Sequence, residues 1–156
     1  MAYRSQQARF PAALSAGLIG GNVTVSPSGR FPDVAYGNGK YLVVWPEYTS
    51  PTQSRGRFVT SDGAVSGSIF IVSDTSYTSL YPSVAYNQTA DEFLVTWDDE
   101  GRVDGDGIFG RRVSGATGLP IGASFRISNI GVRSNVAWSS TSNAYLVVYQ
   151  RASEVY

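Results

Sequence analysis

The sequence predicts an all-β chain of short antiparallel strands, grouped into repeated four-stranded sheets. Three observations predict it. The segment Tyr41-Leu42-Val43-Val44-Trp45 recurs as Phe93-Leu94-Val95-Thr96-Trp97 and as Tyr145-Leu146-Val147-Val148-Tyr149, with Trp97 lying 52 residues after Trp45 and Tyr149 a further 52. Each copy follows a second recurring segment: Pro32-Asp33-Val34-Ala35-Tyr36, Pro82-Ser83-Val84-Ala85-Tyr86 and Ser134-Asn135-Val136-Ala137-Trp138. The 17 glycines and 10 tyrosines suit short strands and tight turns, and no stretch carries a helical period.

The second repeat is the most complete. Residues 83–87 and 93–97 read as two strands around a polar turn. Residues 98–107 read as a long acidic, glycine-rich loop. Residues 108–114 read as a third strand and residues 121–128 as a fourth, with Phe125 and Ile127 alternating. The first repeat matches part for part: strands over 31–37 and 40–45 flank Asn38-Gly39, a hairpin-turn pair. Arg57-Phe58-Val59-Thr60 aligns with Arg112-Val113-Ser114, and Phe70-Ile71-Val72-Ser73 with Phe125-Arg126-Ile127-Ser128. The third repeat stops after its second strand. Residues 18–26 parallel 119–128, and Ala8-Arg9-Phe10 lies near the place of Gly56-Arg57-Phe58, so the missing half stands at the N-terminus.

Strands such as Leu42-Val43-Val44 are apolar without alternation and require cover on both faces. Radial repetition supplies it, each sheet packing between two neighbours around a channel. The expected fold is therefore a β-propeller: a half blade over residues 1–29, blades over 30–79 and 80–131, and a half blade over 132–156. Three blades do not close a ring, so a homodimer is expected, its two chains forming a six-bladed ring through their terminal half blades.

The run Tyr81-Pro82-Ser83-Val84-Ala85-Tyr86, then 93–97, then Ile108-Phe109-Gly110-Arg111-Arg112-Val113, then Gly122 and Phe125-Arg126-Ile127-Ser128, resembles bacterial β-propeller repeats of the form P-x-V-A-Y, Y-L-V-V-W, G-R-R-V and F-x-I-S. The resemblance implies the fold and names no activity. Gly-His with Trp-Asp pairs, a kelch Gly-Gly signature and a sialidase Asp-box are all absent from the sequence.

Composition narrows function. Acids and bases balance at 12 each, against the basic excess of a nucleic-acid or anionic-membrane binder. With no Cys and no His, thiol catalysis, disulfides, His-dependent triads and most zinc sites are excluded. No apolar run approaches the roughly 20 residues that span a bilayer. Residues 1–21 read as structure rather than a signal peptide, so a soluble chain of unassigned compartment is expected.

The acidic loop supplies one metal reading, in which Asp98, Asp99, Asp104 and Asp106 wrap Ca²⁺ through oxygen ligands. Its bland counterpart is a solvated hairpin loop. The loops on one propeller face carry Arg30, Glu47, Tyr48, Tyr77, Asp98, Asp99, Arg102, Arg133 and Arg151. Of these, Arg30, Tyr48, Tyr77, Arg102, Arg133 and Arg151 are the candidate ligand-binding rim for a protein or carbohydrate. The leading functional expectation is a non-enzymatic, self-assembling interaction scaffold. The alternatives are a carbohydrate-active propeller enzyme using carboxylates, or a structural module of a larger surface protein.

Overall fold

The computed structural model describes residues 22–151 and 154–156. The N-terminal part of the expected half blade, and the reading of residues 1–21 as structure, lie outside the described residues. The described residues are all-β and form three antiparallel sheets. In the first, β1 (Asp33–Gly37), β2 (Lys40–Glu47), β3 (Gln53–Thr60) and β4 (Val65–Ile71) run in sequence order. The second repeats this as β5 (Thr78–Asn87), β6 (Glu92–Glu100), β7 (Gly107–Ser114) and β8 (Pro120–Ser128). The third holds β9 (Val132–Ser139), β10 (Ala144–Arg151) and the short β11 (Glu154–Val155).

The hairpin turns between first and second strands fall at Asn38, Asp91 and Asn143, all in the left-handed region (φ 49°, 50° and 48°). Asn and Asp tolerate that conformation better than other side chains. The turns also join neighbouring sheets, because Asn38 Nδ2 and the Tyr86 hydroxyl both donate to the Asp91 carboxylate, at 3.1 and 2.7 Å.

The sheets pack face to face, and the closest backbone approaches between them involve a first strand, β1, β5 or β9. They are therefore closest at their first strands and splay towards their fourth. Side chains alternate across each second strand. Leu42 and Val44 of β2, with Phe58 of β3, meet Phe93, Val95 and Trp97 of β6 in the main core. The other face of the second sheet, with Ala85 and Leu94, meets Val136, Tyr145 and Val147. Both faces of β6 are covered, as its unbroken apolar run requires.

Three sequence readings need correction. Asp98, Asp99 and Glu100 still belong to β6 and pair with β5, so the acidic loop begins at Gly101. Trp45 pairs with Arg55 and Trp97 with Phe109, which makes Arg57 the equivalent of Arg111 rather than Arg112. The turn before β8 is one residue longer than the turn before β4 and absorbs the difference. Finally, the third repeat has more than two strands: Gln150 pairs with Val155 as Asp98 pairs with Ile108, so β11 stands where a third strand begins.

Candidate binding site at the inner strands

Phe31, Tyr81 and Arg133 immediately precede the three recurring first-strand segments. All three have left-handed backbones, with φ of 46°, 49° and 54°. A bulky residue in that region is strained by about 1–3 kcal/mol, and such strain gathers at ligand clamps. Pro32 and Pro82 follow two of them, and a following proline favours extended backbone instead. The same exception in three successive sheets is a built feature.

It sets the three side chains in a row. The Phe31 and Tyr81 ring centroids are 5.7 Å apart at a tilt of 48°, and the Arg133 guanidinium lies 5.4 Å from the Tyr81 centroid. Phe31 is 59% exposed. The row lines an open pocket of about 430 Å³ together with Asp33, Ser83 and Asn135, the equivalent residues two positions on.

The inner strands beneath are tied by matching bonds. Val84 N–H donates to Asp33 Oδ2 at 2.9 Å, and Val136 N–H donates to Ser83 Oγ at 3.3 Å. The Ser83 hydroxyl also donates to Asp33 Oδ2, at 2.8 Å. Behind Arg133, the buried Asp98 carboxylate accepts from the Arg133 and Ser134 backbone N–H groups at 2.7 and 3.4 Å. Burial pushes the Asp98 carboxyl up to about 6, against the downward pull of those two bonds. Asp98 thereby holds the strained backbone that aims Arg133.

The other rim candidates do not join this row. Arg102 is enclosed: it pairs with Asp99 at 2.7 Å and with Asp74, and stacks on Tyr77 at 4.3 Å and Phe109 at 3.9 Å. Asp99 and Asp74 hold its guanidinium in the charged form despite burial. Arg102 and Tyr77 thus lock the segment between β4 and β5 onto the second sheet. Glu47 pairs with Arg55 at 2.9 Å. Tyr48 and Arg151 are exposed, and Arg30 lines a different groove, beside β2.

The four candidate Ca²⁺ ligands do not converge. Asp98 and Asp99 are neighbours on a strand and face opposite ways, Asp98 towards Arg133 and Asp99 towards Arg102. Asp104 pairs with Arg126 at 2.8 Å, and Asp106 Oδ1 accepts from Gly101 N–H at 2.7 Å. Among the described residues no group of three acids is placed to hold a metal ion.

Of the row, sequence reasoning singled out only Arg133. A signal for the others is present: Phe31, Tyr81 and Arg133 stand in one column of the repeat, each a large residue directly before the Pro or Ser that opens the recurring segment. Side-chain type alone does not reveal a positive φ before proline.

No protein-family model and no curated protein matches the sequence. Among solved structures, the chain is similar to a GH43 endo-arabinanase from Bacillus licheniformis, with a TM-score of 0.50 and 14% identity over 79% of this chain and 51% of that one. The fold is β-propeller-like. The chain spans about half the length of that neighbour. No helix among the described residues is long and apolar enough to cross a membrane.

Proposed function

We propose that this propeller-like chain is an interaction module that binds carbohydrate over the Phe31–Tyr81–Arg133 row without cleaving it. The observation that carries the reading is the row itself, two aromatic rings and a guanidinium presented from equivalent strained positions. A sugar ring has an apolar C–H face and a polar hydroxyl edge. Phe31 and Tyr81 offer surface for the first. Arg133, Asn135 and Asp33 offer donors and an acceptor for the second. The neighbour's name makes arabinan oligosaccharides the first ligands to try.

Cleavage is the second reading, favoured by the arabinanase likeness. Glycoside hydrolysis ordinarily takes two carboxylates about 5–10 Å apart, flanking the scissile bond. Among the described residues of the pocket, Asp33 is the sole carboxylate, with Ser83 and Asn135 at its equivalent positions. Hydrolysis would need a second acid from elsewhere.

Isothermal titration with neutral oligosaccharides, arabinan fragments first, tests the proposal. Phe31→Ala and Tyr81→Ala should each weaken binding at least about tenfold, while the distant Asp62→Asn leaves it unchanged. No binding across the panel, or binding indifferent to both aromatic changes, overturns the proposal. Release of reducing ends by the wild-type chain would establish the enzymatic reading instead.

A further inference from the structure

We infer that the two outer faces of the three-sheet array are a matched pair, each completed by a second copy of this chain. The seams already present define what a completed face looks like. Leu42 and Val44 on one face of β2 pack on Phe93, Val95 and Trp97 of β6. Leu94 on the corresponding face of β6 packs on Tyr145 and Val147 of β10. The next members of this series are Leu146 and Val148 on the far face of β10, and Tyr41, Val43 and Trp45 on the far face of β2. Leu146 is 66% exposed. Val43 and Trp45 line a groove of about 390 Å³. The groove has the equivalents of Val95 and Trp97 on one wall and lacks those of Leu42 and Val44.

Residues 22–30 show that a sheet belongs in that groove. Val23-Thr24-Val25-Ser26 repeats the pattern of Phe70-Ile71-Val72-Ser73. Arg111 Nη1 of the second sheet donates to the carbonyl of Val72, in the first, at 3.2 Å. Arg57 Nη1 of the first sheet donates to the carbonyl of Val25 at 2.9 Å. Val25 therefore stands where the end of a preceding sheet's outer strand would lie, with no inner strands of such a sheet beneath it among the described residues. Gly29 lies against Trp45 as Gly131 lies against Tyr149, so the link from that edge to β1 is also in place. β9 and β10 of a second copy are the strands that fit inside it, by the packing of both existing seams.

The inner-strand bonds extend the same way. Asp33 receives Val84 N–H and Ser83 receives Val136 N–H. Asn135 is next in the series. Its side chain is exposed and makes no hydrogen bond within the described residues. In the completed array it receives Val34 N–H of the second copy, which in the single chain turns back to its own Asp33 at 2.8 Å. Two copies related in this head-to-tail manner bury both pairs of outer faces at once.

Light scattering on the full chain tests this, with expected mass twice that of the protomer. Leu146→Glu and Val43→Glu should each give a folded monomer by circular dichroism. An equimolar mixture of the two variants should recover a dimer, because one seam then joins two unaltered faces. A face-to-face dimer through β10 alone predicts that Val43→Glu stays dimeric, and that result overturns the inference, as does a wild-type monomer or trimer. Should either variant fail to fold, a crosslink decides. The chain has no cysteine, so Val34→Cys combined with Asn135→Cys should yield a disulfide-linked dimer under oxidation. A double variant that stays uncrosslinked counts against the inference.

Discussion

Phe31 holds a backbone conformation that its own side chain and the following proline both disfavour. Its ring is largely exposed, so burial does not offset the strain. Glycine adopts positive φ freely, at the expense of extra freedom in the unfolded chain. Phe31→Gly should therefore stabilise the fold by about 1 kcal/mol, read as a higher urea midpoint at unchanged slope. If the row binds a ligand, the same variant loses that binding. Higher stability with lower affinity is the signature of strain kept for function. A loss of stability would show instead that the Phe31–Tyr81 ring contact outweighs the backbone penalty.

Single strands were the most legible elements, because each second strand advertises itself by an apolar run and a terminal aromatic residue. Three acids in a row look solvated, so the sequence predicts a loop from Asp98 where the chain keeps a strand. In the folded chain two of them are sequestered, Asp98 by backbone N–H groups 35 residues away, which no local pattern encodes, and Asp99 by Arg102 three residues on. The third-strand register shifts by one from the sequence expectation because the turn before β8 is one residue longer while the side chains on either side look alike. Asp98 has a measurable consequence. Its folded pKa of about 6 lies above the ordinary carboxylate value near 4. Between those pH values the folded chain keeps a proton that the unfolded chain has released. Stability from this group therefore falls as pH rises from about 4 to 6 and is level above that. Asp99, also raised by burial, acts in the same direction, so the comparison must be with Asp98→Asn. The wild type should lose on the order of 1–2 kcal/mol more than the variant across this window, allowing for solvent screening. Parallel pH profiles in urea melts would count against a buried, proton-holding Asp98.

At the scale of the molecule, the 52-residue period made the three-sheet array readable, because a repeat that cannot bury both faces alone must stack. What the period did not reveal is how the array is bounded, since that depends on geometry at its two outer faces. The Val25 carbonyl already meets Arg57 as that of Val72 meets Arg111, so the face of β2 is partly covered where a neighbouring sheet would pack. If a second copy supplies the rest, folding and association are one equilibrium, and apparent stability rises with protein concentration. Each tenfold increase then adds about 1.4 kcal/mol. For a chain of this size that raises the melting midpoint by a few degrees. Leu146→Glu should melt at a lower temperature that does not move with concentration. Scanning calorimetry at two concentrations a hundredfold apart separates the cases. A wild-type midpoint that stays fixed would mean that the exposed Leu146 face is tolerated in water and that the three sheets are stable alone.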